Sequence, residues 1–199
     1  RSPAGPDGTL AGVGEGAAGG PADIVWQHVS GQVHYWPMLK GQRQGDLKTE
    51  WKQAGRVGWH SVVEVFHEIV SPRDAASGLP TGKRMHKPFE ATLEYNKCVP
   101  QYYMALTQNE NLPVVNFKFY SPAKNLQAAG AGGQENLMYE IKLENASIAS
   151  VKYVTPHVKN PELNKYENYV KLTFTYEAIT WTWTEGGITA NDNWQAPVV

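Results

Sequence analysis

From Ile24 onward, apolar and polar residues alternate with a period of two and not 3.6, the pattern of strands that bury one face. Phe89, Ala91, Leu93 and Tyr95 alternate with Glu90, Thr92 and Glu94, and Tyr139, Ile141 and Leu143 alternate with Glu140, Lys142 and Glu144. Each set places one face in a core and the other in water. Val170, Leu172, Phe174 and Tyr176 hold even positions, after which the apolar set moves to Ile179, Trp181 and Trp183. That change of parity predicts a bulge or bend near Ala178. Further strands are predicted at Trp59 to Val70 and Val114 to Tyr120, with shorter ones near Ile24 to Val29, Tyr35 to Lys40 and Ile148 to Tyr153. One helix is predicted: Pro100 suits a first turn, Val99, Tyr103 and Leu106 recur at helical spacing, and Asn109 and Asn111 close the segment. The fold class is therefore mainly β, an antiparallel β-barrel of two packed sheets with one flanking α-helix, plus an N-terminal Gly/Ala/Pro-rich extension.

The division is into an extension, 1–37, and a barrel domain, 38–199. The first 22 residues are mostly Gly, Ala and Pro, with only Leu10 and Val13 as larger apolar groups, so they cannot build a core of their own. This tail is expected to rest on its own barrel or on a neighbouring subunit, with Ile24 to Val29 as the candidate for an added strand.

Composition narrows the functional classes. A chain of 199 residues that is 41% hydrophobic supports one well-formed core. Eighteen Lys and Arg against 19 Asp and Glu leave a formal net charge of -1 without long runs of one sign. That argues against nucleic-acid binding, which rests on clustered cations. No stretch approaches the roughly 18 apolar residues of a membrane helix, and the N-terminus lacks the layout of a signal peptide. The single cysteine, Cys98, excludes an internal disulfide and a multi-thiolate metal site, and suits a reducing cytosol.

Chemical motifs are weak. Gly14-Glu-Gly-Ala-Ala-Gly19 satisfies the G-x-G-x-x-G pattern, but no strand precedes it, so it reads as glycine-rich tail. The six histidines are scattered, with no i, i+4 pair, and His60 and His67 fall on opposite faces of one predicted strand. Cys98 sits just before the helix, where a thiol can become reactive, but it reads more simply as a poor N-cap. There is no G-x-S-x-G elbow and no acidic pair of the glycosidase kind. Asn145-Ala-Ser147 matches a glycosylation sequon. Trp181, Trp183 and Trp194 with Tyr176 could stack on a sugar, although Trp alternating with Thr is equally a terminal strand packing rings on a core. No catalytic, cofactor-binding or metal-binding residue is assigned.

The connection Ser71 to Pro88 is more telling, because loops above roughly 12 to 15 residues in a compact domain are usually functional or disordered. It is rich in Pro, Gly and charge and is a candidate for contacting another subunit.

Taken in order, several strings resemble the Hcp family, the tube protein of type VI secretion systems, from about Leu39 to Pro197. They are Lys40-Gly-Gln-Arg-Gln-Gly45, His67-Glu-Ile-Val-Ser-Pro-Arg-Asp74, Pro80-Thr-Gly-Lys-Arg-Met-His-Lys-Pro-Phe89, Asn109-Glu-Asn-Leu112, Phe174-Thr-Tyr176, Ile179-Thr-Trp-Thr-Trp183, and Gly187-Ile-Thr-Ala190 followed by Asp192-Asn-Trp194. The resemblance implies a homohexameric ring stacking into a hollow tube inside a contractile sheath, capped by a spike protein and carrying effector proteins. It implies assembly in the bacterial cytoplasm, then secretion without a signal peptide. In that family the long arm makes ring-to-ring contacts, which assigns Arg73, Asp74, Lys83, Arg84, His86 and Lys87 to the stacking interface. The extra residues before 38 depart from the family's usual start and leave open how the first strand enters the barrel. Rival readings are a phage tail tube or another contractile injection machine, a carbohydrate-binding module, and an effector enzyme on an Hcp-like carrier.

Overall fold

The computed structural model describes residues 33–36, 39–50, 56–122, 135–163 and 166–195. The predicted strand Ile24 to Val29 and the glycine motif at 14–19 lie outside these residues.

Among the described residues twelve strands and one helix follow in the order β1 Val33–Trp36, β2 Leu39–Gly41, β3 Gly45–Leu47, β4 His60–Phe66, β5 Ile69–Val70, β6 Met85–His86, β7 Phe89–Glu94, α1 Val99–Thr107, β8 Leu112–Pro122, β9 Glu135–Val154, β10 Tyr169–Thr175, β11 Ala178–Trp183 and β12 Ile188–Asn193. Eight of them form one antiparallel sheet in the order β10-β7-β4-β1-β8-β9-β11-β12. A second pairing of β10, with the C-terminal half of β9, joins the first strand of this order to the sixth and closes a barrel. Closure removes the free edge of β10, which would otherwise be open to foreign strands, and leaves β12 as the terminal strand. The β11–β12 ribbon continues from β9 beyond the closed part.

The inward residues are those the alternation marks. Phe89, Leu93, Phe117, Leu143, Leu172, Phe174 and Ile179 are buried, and Phe117 lies 4.5 Å from Phe89 and 6.2 Å from Phe174 between ring centroids. Aromatic pairs at such spacings add to the area they bury.

Four local readings change. The predicted strands at 139–144 and 148–153 are one strand, β9, which bends at Asn145, whose φ of 48° turns the chain so that the buried set moves from Ile141 and Leu143 to Ala146 and Ile148. The parity change near Ala178 is a break between two strands: β10 pairs with one half of β9, and β11 with the other. The strand predicted over 59–70 ends at Phe66, and the chain restarts as β5 after His67 and Glu68. In α1 the buried face is Val99, Tyr102 and Ala105, while Tyr103 is 40% exposed. Tyr102 is drawn inward because its hydroxyl reaches His60 Nδ1 at 2.6 Å and Asn96 Oδ1 at 3.2 Å. Cys98 is the N-cap and its side chain makes no capping hydrogen bond; burial pushes its thiol up to about 11, away from reactivity.

Candidate assembly interface

The segment between β5 and β7 is an ordered hairpin and not an open loop. Ile69 pairs with His86, Val70 with Met85, and an isolated bridge joins Arg73 to Pro80. Backbone bonds from Thr81 N–H to the Pro72 carbonyl, 3.0 Å, and from Lys87 N–H to the Glu68 carbonyl, 3.0 Å, continue the ladder.

The tip is built by Asp74. Its Oδ1 accepts from Ala76 N–H at 3.1 Å, Ser77 N–H at 2.7 Å and Ser77 Oγ at 2.7 Å, an Asx-type turn that ends at Gly78 with φ 69°. The Ser77 bonds hold the Asp74 carboxyl below its ordinary value. Arg73 Nη1 donates to the Gly78 carbonyl at 3.1 Å and is otherwise exposed. At the same turn Leu79 is 65% exposed, so its apolar surface would gain from burial against a partner.

The base is anchored to the β11–β12 ribbon. Arg84 donates through Nε and Nη2 to both oxygens of Asp192, and Nη2 also reaches the Asn193 carbonyl at 3.0 Å. Such a two-point pairing fixes direction as well as distance. His86, buried, meets Asp192 Oδ2 through Nε2 at 2.8 Å and the Tyr176 hydroxyl through Nδ1 at 3.0 Å. The same hydroxyl meets His67 Nε2 at 2.6 Å. One assignment satisfies each contact: His86 Nε2–H donates to Asp192, Tyr176 donates to His86 Nδ1, and His67 Nε2–H donates to the Tyr176 oxygen. The Arg84 hydrogen bonds, opposed by burial and helped by His86, hold the Asp192 carboxyl below its ordinary value. Burial, with the neighbouring Asp192 charge, pushes the Tyr176 hydroxyl up, so it stays protonated. Burial, then the proximity of His86, lowers His67.

The six residues assigned to stacking thus divide. Arg84 and His86 face inward and hold the arm to its own subunit, and Asp74 shapes the tip. Arg73, Lys83 and Lys87 remain on the surface, and neither lysine forms an ion pair among the described residues. Sequence reasoning missed Asp192, Tyr176 and His67 as partners of the arm, although all three stand in strings quoted for the resemblance. The string that supplies Arg43 and Gln44 meets the one that supplies Glu110 in the same way: Glu110 Oε1 accepts from Arg43 N–H at 2.6 Å and Gln44 N–H at 2.8 Å, and Oε2 accepts from Gln44 Nε2 at 2.6 Å. Trp181 packs against the core, so the three tryptophans do not form one exposed platform. Asn145 lies at the β9 bend, with Nδ2 donating to Glu177 at 2.8 Å.

The sequence model of the family described as "Type VI secretion system effector, Hcp" matches residues 39–183. Over 132 residues the chain is 36% identical to the "Major exported protein" of Pseudomonas aeruginosa, a match spanning 66% of this chain and 73% of that one. A solved structure described as "Crystal structure of Hcp protein" superposes with a TM-score of 0.71 at 26% identity, covering 83% of this chain and 99% of that one. Hcp1 from an E. coli EAEC pathovar gives 0.67 at 31% identity, covering 81% and 98%.

Proposed function

Because the chain belongs to the Hcp family of type VI secretion proteins, we propose that it is a structural subunit whose copies close into hexameric rings and stack into a hollow tube through the hairpin arm. Sheath contraction drives the tube, a spike protein caps it, and effectors travel in its lumen. The work is mechanical, and no residue is given a catalytic role.

The observation that carries this reading is the arm itself. It projects an exposed Leu79 and the cations Arg73, Lys83 and Lys87, while its tip is pre-shaped by Asp74 and its base is tied to the barrel by Asp192. A projection already ordered before it meets a partner loses less conformational entropy on docking. Cations around an apolar centre suit a neighbour with an acidic rim.

Electron microscopy of the purified chain, with mass photometry on the same sample, tests the assembly. Six-fold rings and hollow tubes are expected; a monomer at every accessible concentration would overturn the proposal. Lys83→Glu with Lys87→Glu is expected to shorten tubes and leave rings intact, because both side chains are exposed and neither forms an ion pair among the described residues. Unchanged tube length would remove the arm from the stacking contact.

A further inference from the structure

The anchor of the arm sets two imidazoles on one hydroxyl. Tyr176 Oη lies 2.6 Å from His67 Nε2 and 3.0 Å from His86 Nδ1. The other nitrogen of His86 is committed to Asp192 Oδ2 at 2.8 Å, whereas His67 Nδ1 makes no hydrogen bond among the described residues.

A hydroxyl has one hydrogen to give and two lone pairs with which to receive. That inventory limits the charge the cluster can hold. With both rings neutral, His67 donates to Tyr176 and Tyr176 donates to His86. A first proton fits at either ring. On His67 it enters at Nδ1 and every existing bond is kept. On His86 it enters at Nδ1, the Tyr176 hydrogen turns to His67 Nε2, and the hydrogen of His67 moves to its Nδ1. A second proton does not fit. Both rings would then donate to the Tyr176 oxygen, and the hydroxyl hydrogen would be left without an acceptor between two like charges.

The groups around the cluster do not relieve this. The Asp192 charge on β12 is already met by Arg84 as well as His86. From β7 and β11, Phe89 and Trp181 present uncharged rings with centroids 5.4 and 6.2 Å from His67, and Trp194 lies 5.8 Å from His86. Glu68 and Lys87, the charged neighbours of the two histidines along the arm, are both exposed and meet through their backbones. Of the two rings, His86 is buried and pinned to Asp192, while His67 is half-buried and has one hydrogen-bonded nitrogen, so His67 is the one free to leave. Burial and the proximity of His86 hold His67 below its ordinary value, the direction this crowding requires.

We propose that Tyr176 makes this cluster a proton-operated latch at the base of the arm: the His67–His86 pair holds one proton with the bridge intact, and a second drives His67 off Tyr176 and loosens the hairpin where it leaves the barrel. Exposed imidazoles titrate near 6.5, so well below that pH the open form binds two protons and the closed form one. Opening is favoured as pH falls, by up to about tenfold per pH unit. The release is a property of one chain, and only its consequence for stacking rests on the function proposed above.

Hydrogen exchange at Val70, Met85 and Lys87 between pH 7.5 and 5.0 tests the latch, on native protein dilute enough that mass photometry shows no tubes, so that the result does not depend on stacking. Protection factors, which allow for the intrinsic pH dependence of exchange, are expected to fall at least tenfold. His67→Gln keeps a side chain that can give a hydrogen bond to Tyr176 or take one, but binds no proton. Its protection at pH 7.5 is expected to match the native chain and to fall less than about threefold. The His60 contribution is common to both chains. An equal fall in His67→Gln would assign the response to another group, such as Asp192, and no fall in the native chain would mean that the closed cluster accepts both protons; either overturns the proposal. The imidazole resonances of the native chain give an independent reading, which stands even if His67→Gln fails to close the arm. One proton's charge, on one ring or shared by the two, is expected while the arm is protected; two charged rings with protection undiminished would overturn the proposal.

Discussion

Glu110 is almost fully buried, yet its carboxylate receives three donors from the turn between β2 and β3, so its charge is met where it sits. Burial raises its pKa, but the bonds from Gln44 and Arg43 outweigh this and hold it below the ordinary value. Removing the acceptor leaves the Arg43 and Gln44 N–H groups and the Gln44 amide without their partner at a half-buried turn, so Glu110→Ala should lower stability by about 1 to 3 kcal/mol. Urea unfolding should show an earlier midpoint at unchanged slope. A Cβ at Gly41 would come within 2.8 Å of the Glu110 carboxyl carbon, so Gly41→Ala should destabilise the native chain more than the Glu110→Ala variant. His60 carries a second residue-scale prediction. Its Nε2 meets the Leu47 carbonyl at 3.2 Å, its Nδ1 meets Tyr102, and burial lowers its pKa from 6.5 to about 4. The folded chain keeps this ring unprotonated while the unfolded chain takes up a proton below 6.5, so stability falls as pH falls through that window. The loss is about 1.4 kcal/mol per pH unit and ends near the folded value. Urea midpoints measured between pH 7.5 and 4.5 should show this slope, and His60→Gln should flatten it.

Elements differ in how much of themselves they disclose in sequence. β7 and β10 were legible because alternate residues of each are buried against one core, and β11 because Ile179 and Trp181 continue that alternation at its edge. β12 was not, since Thr189, Ala190 and Asn191 are exposed and its one strand pairing among the described residues is with β11. The helix was placed correctly but turned by one residue, because what buries Tyr102 is a polar contact to His60 and no period reports it. The arm's length was visible and its order was not: Pro and Gly mask a ladder whose anchor, Asp192, lies 106 residues from His86. That anchor predicts a local effect. Asp192→Ala should speed amide exchange at Val70, Met85 and Lys87 at least tenfold and leave Leu93 and Leu143 as they were. Undiminished protection at β5 and β6 would mean that the ladder holds the arm without the ribbon. Tyr176→Phe, which removes the hydroxyl shared by His67 and His86, should cost about 1 to 2 kcal/mol in global stability.

At the scale of the whole molecule, the barrel closes β10 onto β9, and the hairpin arm and the β11–β12 ribbon extend from the closed part. If stacking rests on Arg73, Lys83 and Lys87, it is screened by salt in a way that the apolar barrel is not. Between about 0.05 and 0.5 M NaCl the screening length falls from about 14 to 4 Å. Tubes followed by light scattering should shorten over that range while ring mass stays constant; salt-insensitive tubes would point to Leu79 and other apolar contacts instead.

The pairing of Arg84 and His86 with Asp192 also sets a clock. These residues are joined across 108 and 106 positions of chain, so a ribosome adding about 5 to 20 residues per second finishes the arm roughly 5 to 20 s before it makes the anchor. Through that interval a nascent subunit carries an untethered arm. On the proposed reading, an arm that stacks would reach its anchored form only once synthesis reaches β12, so unfinished chains would not add to a growing end.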